Sequence, residues 1–516
     1  MKTISFNSIS KYDSYHILAF YVLKSYLSHK GIAKYFDFYF NLFFQDTSNQ
    51  EIADKILSQK KDITAFSVQI WNYHEVKDTC RIIKQKMPDT FILLGGPYAG
   101  FMADYFMSEG LADLIVRGAG EDVFFQLMDK IRKHDFDFSD IPNLIYRKNG
   151  KIIKNKQIYG FDLSMQNYPL IFDAEPLEHV GYEASRGCPN KCRYCTWSDP
   201  ERETKLTFYP VEKVKDDLTR IYMNPKIKRV FIIDSDLFLS TKRGLHILNL
   251  HKNLNAGRKE NGYERIFLEC QTNPERLNDK TIKQIGELDL DDLYMGCGLQ
   301  SINEEVNNVY INRKFNKKEY IRKLNLLQDT LYQGVGVSAI YGIPGDNYEG
   351  FRKTVDFLLS ELKIKSKRNY ASSIYRLRVL PGSYFRYHAD DFGLVFDSKP
   401  PCFAVKCDTF SEEDMAKAKQ LTMFVYIFYT VLKEIRIFVE KKVSRNRLNV
   451  YEKIIEHIIK NYPDFVSVFV DLYKDSEDTQ FVVSLQNRDL YIDHIKTRRK
   501  IIKQAKEIVN RFTEPE

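Results

Sequence analysis

Twice along its 516 residues the chain alternates short apolar runs with amphipathic stretches, and this pattern restricts the fold more than any single residue does. Up to about residue 133 the apolar runs 4–7, 35–38, 63–70, 91–94 and 113–116 read as strands, with helical patterns such as 51–59 and 73–86 between them. Strand–helix units repeated in this way make a doubly wound parallel sheet, whose ligands bind beyond the carboxyl ends of the strands. A second alternation places strands at 179–184, 229–234, 265–271, 293–299, 335–341 and 375–379. It suggests a parallel barrel, with reacting groups again at the strand carboxyl ends.

The expected fold class is therefore α/β. A flavodoxin-like or Rossmann-like doubly wound domain occupies 1–133, a linker with a hairpin turning at Asn149-Gly150 occupies 134–178, and a partial (β/α)6 barrel occupies 179–400. A mostly helical domain follows at 401–516, with one long helix starting near Ser411 and running to about Lys442, and others at 451–460 and 491–511.

Composition excludes several classes. With 44% hydrophobic and 28% charged residues the chain is globular, and its length suits two to four domains, each with its own core. The net charge of +8 is spread along the sequence, which fits a solvated surface rather than a nucleic-acid footprint. Eight cysteines, three of them in one loop, fit a reducing compartment. The first residues read as a buried strand rather than a signal peptide, and the longest apolar run, 423–432, is shorter than the roughly 20 residues of a membrane helix. A cytoplasmic protein with no membrane or nucleic-acid partner is expected.

The carboxyl-end loops of the first sheet hold Ser67, Gln69, Trp71 and Asn72 after the third strand, Gly95-Gly96-Pro97-Tyr98 after the fourth and Gly118-Ala119-Gly120-Glu121 after the fifth. Glycine lets backbone approach a flat ligand closely, so these loops together outline a cofactor pocket. In the second region the strand ends carry Asp234-Ser235-Asp236, Glu269-Cys270-Gln271-Thr272-Asn273, Gly298-Leu299-Gln300-Ser301-Ile302-Asn303 and Gly342-Ile343-Pro344-Gly345-Asp346. Polar side chains at four consecutive strand ends are costly to bury without partners and point to a binding site.

The first barrel strand leads into Ser185-Arg186-Gly187-Cys188-Pro189-Asn190-Lys191-Cys192-Arg193-Tyr194-Cys195-Thr196-Trp197. Three thiolates at this spacing can hold one face of an iron–sulfur cube and leave the fourth iron open to an outside ligand. A zinc loop is compatible with the same spacing. The other cysteines, Cys80, Cys270, Cys297, Cys402 and Cys407, read as small apolar residues.

The triplet, with Tyr194 before its third cysteine, resembles the cluster loop of the radical S-adenosylmethionine (SAM) enzymes, and the strand-end segments resemble that family's half-barrel. The Gly-Gly-Pro and Gly-x-Gly-Glu-like loops are similar to those of the cobalamin-dependent class of that family. The resemblance covers about residues 1–400. It implies a [4Fe–4S] cluster on Cys188, Cys192 and Cys195, and SAM contacts from Tyr194, Glu269, Gln271, Gln300, Ser301, Arg313, Gly342 and Gly345. The family's Gly-Gly-Glu after the second strand is absent, so Asp234 or Asp236 takes its place at the SAM amino group. Cobalamin is implied at Ser67, Gln69, Trp71, Asn72, Gly95, Gly96, Pro97, Tyr98, Gly118, Gly120 and Glu121. The Asp-x-His-x-x-Gly pattern of many cobalamin carriers is missing, because in Asp13-Ser14-Tyr15-His16 the histidine comes one place late. Cobalamin is therefore expected without a histidine ligand, with Trp71 and Gln69 as candidates for its lower face.

The implied activity is that of a cobalamin-dependent radical SAM methyltransferase. It would act through a 5′-deoxyadenosyl radical and methylcobalamin on an unactivated carbon, or a phosphorus, of a natural-product intermediate or peptide, with electrons from a donor such as flavodoxin or ferredoxin. No catalytic residue is singled out. The alternatives are a non-methylating cyclisation or rearrangement on the same cofactors, and a non-catalytic iron–sulfur or metal-binding module.

Overall fold

The computed structural model describes residues 2–10, 15–16, 18–173, 178–198, 205–362, 372–474 and 495–513. Strand β1 (Lys2–Ser10) is followed by a two-residue strand, β2 (Tyr15–His16), that leaves the first sheet, and then by β3 (Phe36–Phe44), β4 (Ile63–Ser67), β5 (Ile92–Gly95) and β6 (Leu114–Val116). The parallel strands stand in the spatial order β3-β1-β4-β5-β6, the order of flavodoxin-like sheets. Direction of winding reverses at β1, so the crevice for a ligand opens beyond the carboxyl ends of β1 and β4.

The hairpin β7 (Leu144–Lys148) and β8 (Lys151–Lys154) adds to β6 antiparallel and completes this sheet. Asn149 and Gly150 both have positive φ at its tip, as a tight two-residue hairpin turn requires. The hairpin thus belongs to the first sheet rather than to a free-standing linker. Leu144, Ile145 and Tyr146 are buried in the cores of this module.

In the second region β9 (His179–Tyr182) leads to a small antiparallel pair, β10 (Ser185–Arg186) and β11 (Thr207–Phe208). Strands β12 (Arg229–Ile232), β13 (Phe267–Thr272), β14 (Leu293–Gln300), β15 (Val335–Tyr341) and β16 (Ser372–Arg376) then follow β9 in parallel and in chain order, giving the six-stranded partial barrel. On β14 the residues Leu293, Met295, Cys297 and Leu299 form the fully buried face. Cys297 lies beside Tyr320 of the helix Lys317–Thr330, so this face looks outward to the helices. The opposite, inward face carries Tyr294, Gly296 and Gly298.

Both edges of this open sheet are sealed from outside the barrel. β2, from the loop that follows β1, pairs parallel to β9, with Tyr15 opposite His179. At the other edge the Tyr426 hydroxyl bonds both the N–H and the C=O of Ile374 in β16, at 2.8 Å each. Tyr426 lies on the helix Glu412–Tyr429, whose last turns are buried all round. The long helix expected to reach Lys442 breaks there: the Thr430 hydroxyl bonds back to Tyr426 C=O at 2.7 Å, Leu432 N–H bonds Ile427 C=O, and a separate helix runs Lys433–Lys442. Helices Arg447–Asn461, Pro463–Lys474 and Ile495–Thr513 complete the region, the second of them unforeseen. Part of the helix expected at 491–511 lies outside the described residues. No helix among the described residues is long and apolar enough to cross a membrane.

A buried ion pair locks the segment before β9 onto the barrel. Lys213 Nζ donates to Asp217 and to the Tyr168 C=O, both at 2.6 Å. Asp217 also accepts from Leu170 N–H and from the Tyr182 hydroxyl. Lys213→Met leaves the Asp217 carboxylate buried without its cation, and about 3–5 kcal/mol of stability is expected to be lost, read as a lower urea midpoint.

Candidate functional site

The cysteine loop is held at its shape from the segments after β12, β13, β14 and β16. Gly187 has φ +98°, and a Cβ there would stand 3.0 Å from Lys205 C=O, so no other residue fits without strain. Ser235, after β12, donates to Gly187 C=O at 2.9 Å. Arg276, after β13, donates to the Asn190 side chain at 2.9 Å. Beyond β14, Asn312 donates to Lys191 C=O, and Arg193 N–H donates to Ile311 C=O. Phe385 N–H, beyond β16, donates to Arg193 C=O. The Arg193 guanidinium lies over the Tyr384 ring at 4.8 Å.

Within that frame a bond from Cys195 N–H to Cys192 C=O turns the chain so that all three cysteines share one short loop. Cys192 is buried, while Cys188 and Cys195 are half-exposed. Among the described residues no three His, Cys, Asp or Glu side chains are already gathered around a metal position. The donor set itself, three thiols on one clamped loop, fits an iron–sulfur cube. Burial pushes the Cys192 thiol up to about 11, against the pull of the Arg313 and Arg276 guanidinium groups. Metal binding requires the thiolate, so those cations favour the liganding form.

Around the loop stand several of the residues expected to hold SAM. Gln300, at φ +69° where β14 bulges, donates its amide to the Tyr194 hydroxyl at 2.8 Å. Arg313 is 6% exposed and near Cys192 and Tyr194, and its guanidinium makes no hydrogen bond among the described residues. On the inward face Gln271 lies over Gly296, where a Cβ would come within 2.5 Å of its amide oxygen, and Gln300 lies over Gly298. These glycines leave the floor of the barrel as bare backbone. Glu269, lower on the same face, pairs with Arg229 at 3.3 Å.

Other expected contacts have different work. Asp234 accepts from Ala184 N–H at 2.7 Å and from the Ser185 hydroxyl at 2.6 Å, so both its oxygens fasten the start of the cysteine loop. Asp236 accepts from Phe238 N–H and Asn273 N–H and pairs with Arg276. Both carboxylates thus already accept bonds from within the chain. Ser301 is fully buried and donates to Asp346 at 3.1 Å. Gly342 and Gly345, both at positive φ, pack under Met415 and Tyr310 and shape the turn after β15. Arg276 was missed in the sequence; its signal was a cation one turn beyond a strand end, in Asn273-Pro274-Glu275-Arg276.

Burial pushes the Asp234 carboxyl up to about 6. Between its ordinary 3.8 and that value the folded protein binds a proton that the unfolded chain does not, so falling pH favours the fold through this group. Asp234→Asn removes that term. The wild type is expected to gain on the variant in urea midpoint as pH drops from neutral towards 4; a gap independent of pH counts against the assignment.

At the carboxyl edge of the first sheet, Gly95 has open space where a side chain would be, and Gly118 meets only the Asn143 amide at 3.9 Å. Gly96 is the hinge between them: φ is +96°, Val68 and Gly95 bond across it, and Pro97 opens the next helix. Trp71 is exposed at this edge, and Gln69 reaches Ser67 Oγ at 3.3 Å. Bare backbone beside an exposed aromatic fits a broad flat ligand. Asn72 is fully buried and instead ties Ile9 C=O to Ser67 C=O. Tyr98 is buried with its hydroxyl near Cys402 Sγ, and Glu121 is buried against Arg186 at 2.8 Å. These three side chains frame the edge rather than line it. The backbone of His16 is in β2, on the barrel sheet. Cys80, Cys270, Cys297, Cys402 and Cys407 are all buried, as small apolar residues are.

The two strand-end edges face each other. The loop after β1 pairs with β9, the region after β4 reaches Pro400 C=O through His74 at 3.0 Å, Tyr98 after β5 meets Cys402, and Glu121 after β6 meets Arg186 in the cysteine loop. A flavodoxin-like sheet and an open barrel thus meet beside a three-cysteine loop.

Comparison with known proteins agrees. The Radical SAM superfamily model matches residues 182–358 and the B12 binding domain model matches residues 9–128. The chain is 24% identical over 350 residues to the cobalamin-dependent radical SAM methyltransferase TokK of Streptomyces tokunonensis, covering 65% of this chain and 49% of TokK. The fold is that of the cobalamin-dependent S-adenosylmethionine radical enzyme OxsB, at TM-score 0.62 and 14% identity over 99% of this chain and 80% of that one. It is also that of the radical S-adenosylmethionine methyltransferase TsrM of Kitasatospora setae, at TM-score 0.61 and 14% identity over 77% and 79% of the two chains. The chain spans about half the length of the curated relatives it matches. It belongs to the cobalamin-dependent radical SAM enzymes.

Proposed function

We propose that this protein is a methyltransferase that binds a [4Fe–4S] cluster, SAM and cobalamin and methylates an unactivated carbon, or a phosphorus, of a natural-product intermediate or peptide. The observation that carries the reading is the meeting of the two strand-end edges, which puts the three-cysteine loop and the open backbone of the first sheet on one shared interface. When bound, the cluster and SAM supply a radical that removes a substrate hydrogen, and cobalamin supplies a methyl carrier.

The chain's own part is to hold and orient. Cys188, Cys192 and Cys195 are the cluster ligands in this reading. Arg313, a buried cation without a hydrogen-bond partner among the described residues, fits the SAM carboxylate. Tyr194 and Gln300, bonded to each other, form a wall beside the cluster loop, and Gln271 over the bare glycine floor faces the space for nucleoside or substrate. Gly95 and Gly118 would leave room for the corrin, Gly96 would set the turn between strand and helix beside it, and Trp71 and Gln69 are the candidates to cover its lower face. The reading also needs an external one-electron donor.

Anaerobic reconstitution with iron, sulfide and hydroxocobalamin, followed by SAM and a reductant, tests it. About four iron per chain and corrin absorbance that survives desalting are expected, with 5′-deoxyadenosine and S-adenosylhomocysteine as products once a substrate is supplied. 5′-Deoxyadenosine without S-adenosylhomocysteine would exclude methyl transfer and leave a cyclisation or rearrangement on the same cofactors.

A further inference from the structure

Arg186 stands two residues before Cys188, and its guanidinium joins the two modules. Its Nε donates to Glu183 at 3.0 Å and its Nη2 donates both to Glu183 at 2.7 Å and to Glu121 at 2.8 Å. Glu183 follows β9 directly; Glu121 is the first residue of the helix Glu121–Arg132, straight after the Gly118-Ala119-Gly120 turn of the first sheet. Both carboxylates are buried, at 6% and 3% exposure, and the Phe161 ring covers the guanidinium at 5.6 Å.

As a device for stability this arrangement is poor. Two carboxylates are taken out of water beside a guanidinium whose side chain keeps only 27% exposure, and such groups are often replaced by apolar residues without loss. What they provide is direction: a fork of N–H donors gripping one carboxylate from two sides has a fixed orientation, and the remaining donor sets where the second carboxylate must lie. The turn at Gly118–Gly120 cannot shift without pulling on the chain beside Cys188. Other contacts between the modules, such as Tyr98 on Cys402 and His74 on Pro400, touch segments far from the cysteine loop in sequence.

We infer that Arg186 is a positioning residue that fixes the separation between the corrin loops and the cluster loop, an inference that rests on the assignment of those two loops above. It touches neither group; its effect passes through Glu121 and through the backbone leading to Cys188.

The test uses the full chain reconstituted with iron, sulfide and hydroxocobalamin, comparing wild type, Glu121→Ala, Glu121→Gln and Arg186→Lys. Glutamine retains an oxygen to accept from Arg186, whereas alanine does not. Two readings are taken: iron and corrin per chain, and the enhancement of cob(II)alamin electron-spin relaxation by the reduced cluster, which depends steeply on their separation. Expected for Glu121→Ala are wild-type iron and corrin with a changed and more widely distributed relaxation enhancement. Glu121→Gln should return towards wild type, and Arg186→Lys, lacking the fork, should fall between. Wild-type relaxation in a loaded Glu121→Ala and Arg186→Lys overturns the inference. So does loss of folding or loading in both, which reduces Arg186 to a structural tie. A wild-type protein that retains no corrin refutes instead the assignment of the loops.

Discussion

Cys192→Ala is expected to yield a folded protein that forms no 5′-deoxyadenosine. Cys192 is the buried member of the triplet, yet the loop around it is fastened by bonds to its backbone that do not involve its thiol: Arg193 N–H to Ile311 C=O, Phe385 N–H to Arg193 C=O, and the Asn312 side-chain amide to Lys191 C=O. Removing one sulfur therefore leaves the loop in place. It also leaves two ligands where a cube open at one iron needs three. Iron per chain after anaerobic reconstitution should fall to a small fraction of the wild-type value, while far-UV circular dichroism stays the same and corrin is still retained. A variant that kept full iron and cleaved SAM would show that the cluster is held elsewhere.

Gly96→Ala should do the reverse, sparing iron and losing corrin. At φ +96° and ψ 163° the backbone is in a region that only glycine occupies readily, and a Cβ would come within 2.7 Å of Val68 C=O and 3.0 Å of Val68 N. Both atoms are backbone, already bonded to Tyr98 N–H and Gly95 C=O, so they cannot yield. A conformation of this kind costs about 1–3 kcal/mol for a residue with a side chain, and the clash adds to it. The relief available is to move the Gly95–Tyr98 turn, which is the edge on which the corrin is proposed to lie. Corrin absorbance after desalting should drop sharply at unchanged iron content; equal retention by variant and wild type would place the corrin away from this turn.

Periodicity made the framework legible. Short apolar runs such as Ile92-Leu93-Leu94 and Leu114-Ile115-Val116 recur between amphipathic helices, which explains why parallel sheets could be anticipated. The roles of strand-end carboxylates were not legible in this way. In sequence Asp234 shows no sign of the Ala184 N–H and Ser185 hydroxyl from which it accepts, fifty and forty-nine residues away. Glu121 is a similar case, since its partner Arg186 lies in the other module. The hairpin's place on β6 and the break at Thr430 were hidden for the same reason: each depends on what packs alongside, and local propensity is a weak guide there.

The sealing of the barrel's two edges has a practical corollary for anyone dissecting this chain. β9 is covered by β2, which comes from the amino-terminal module, and β16 by Tyr426, which comes from the carboxy-terminal helices. A fragment cut to the barrel alone would expose unpaired N–H and C=O groups along both borders, and exposed strand edges recruit other strands. The barrel is thus not a cassette that can be moved between scaffolds. Its neighbours on either side supply the selvedge of its sheet, and grafting experiments should carry both.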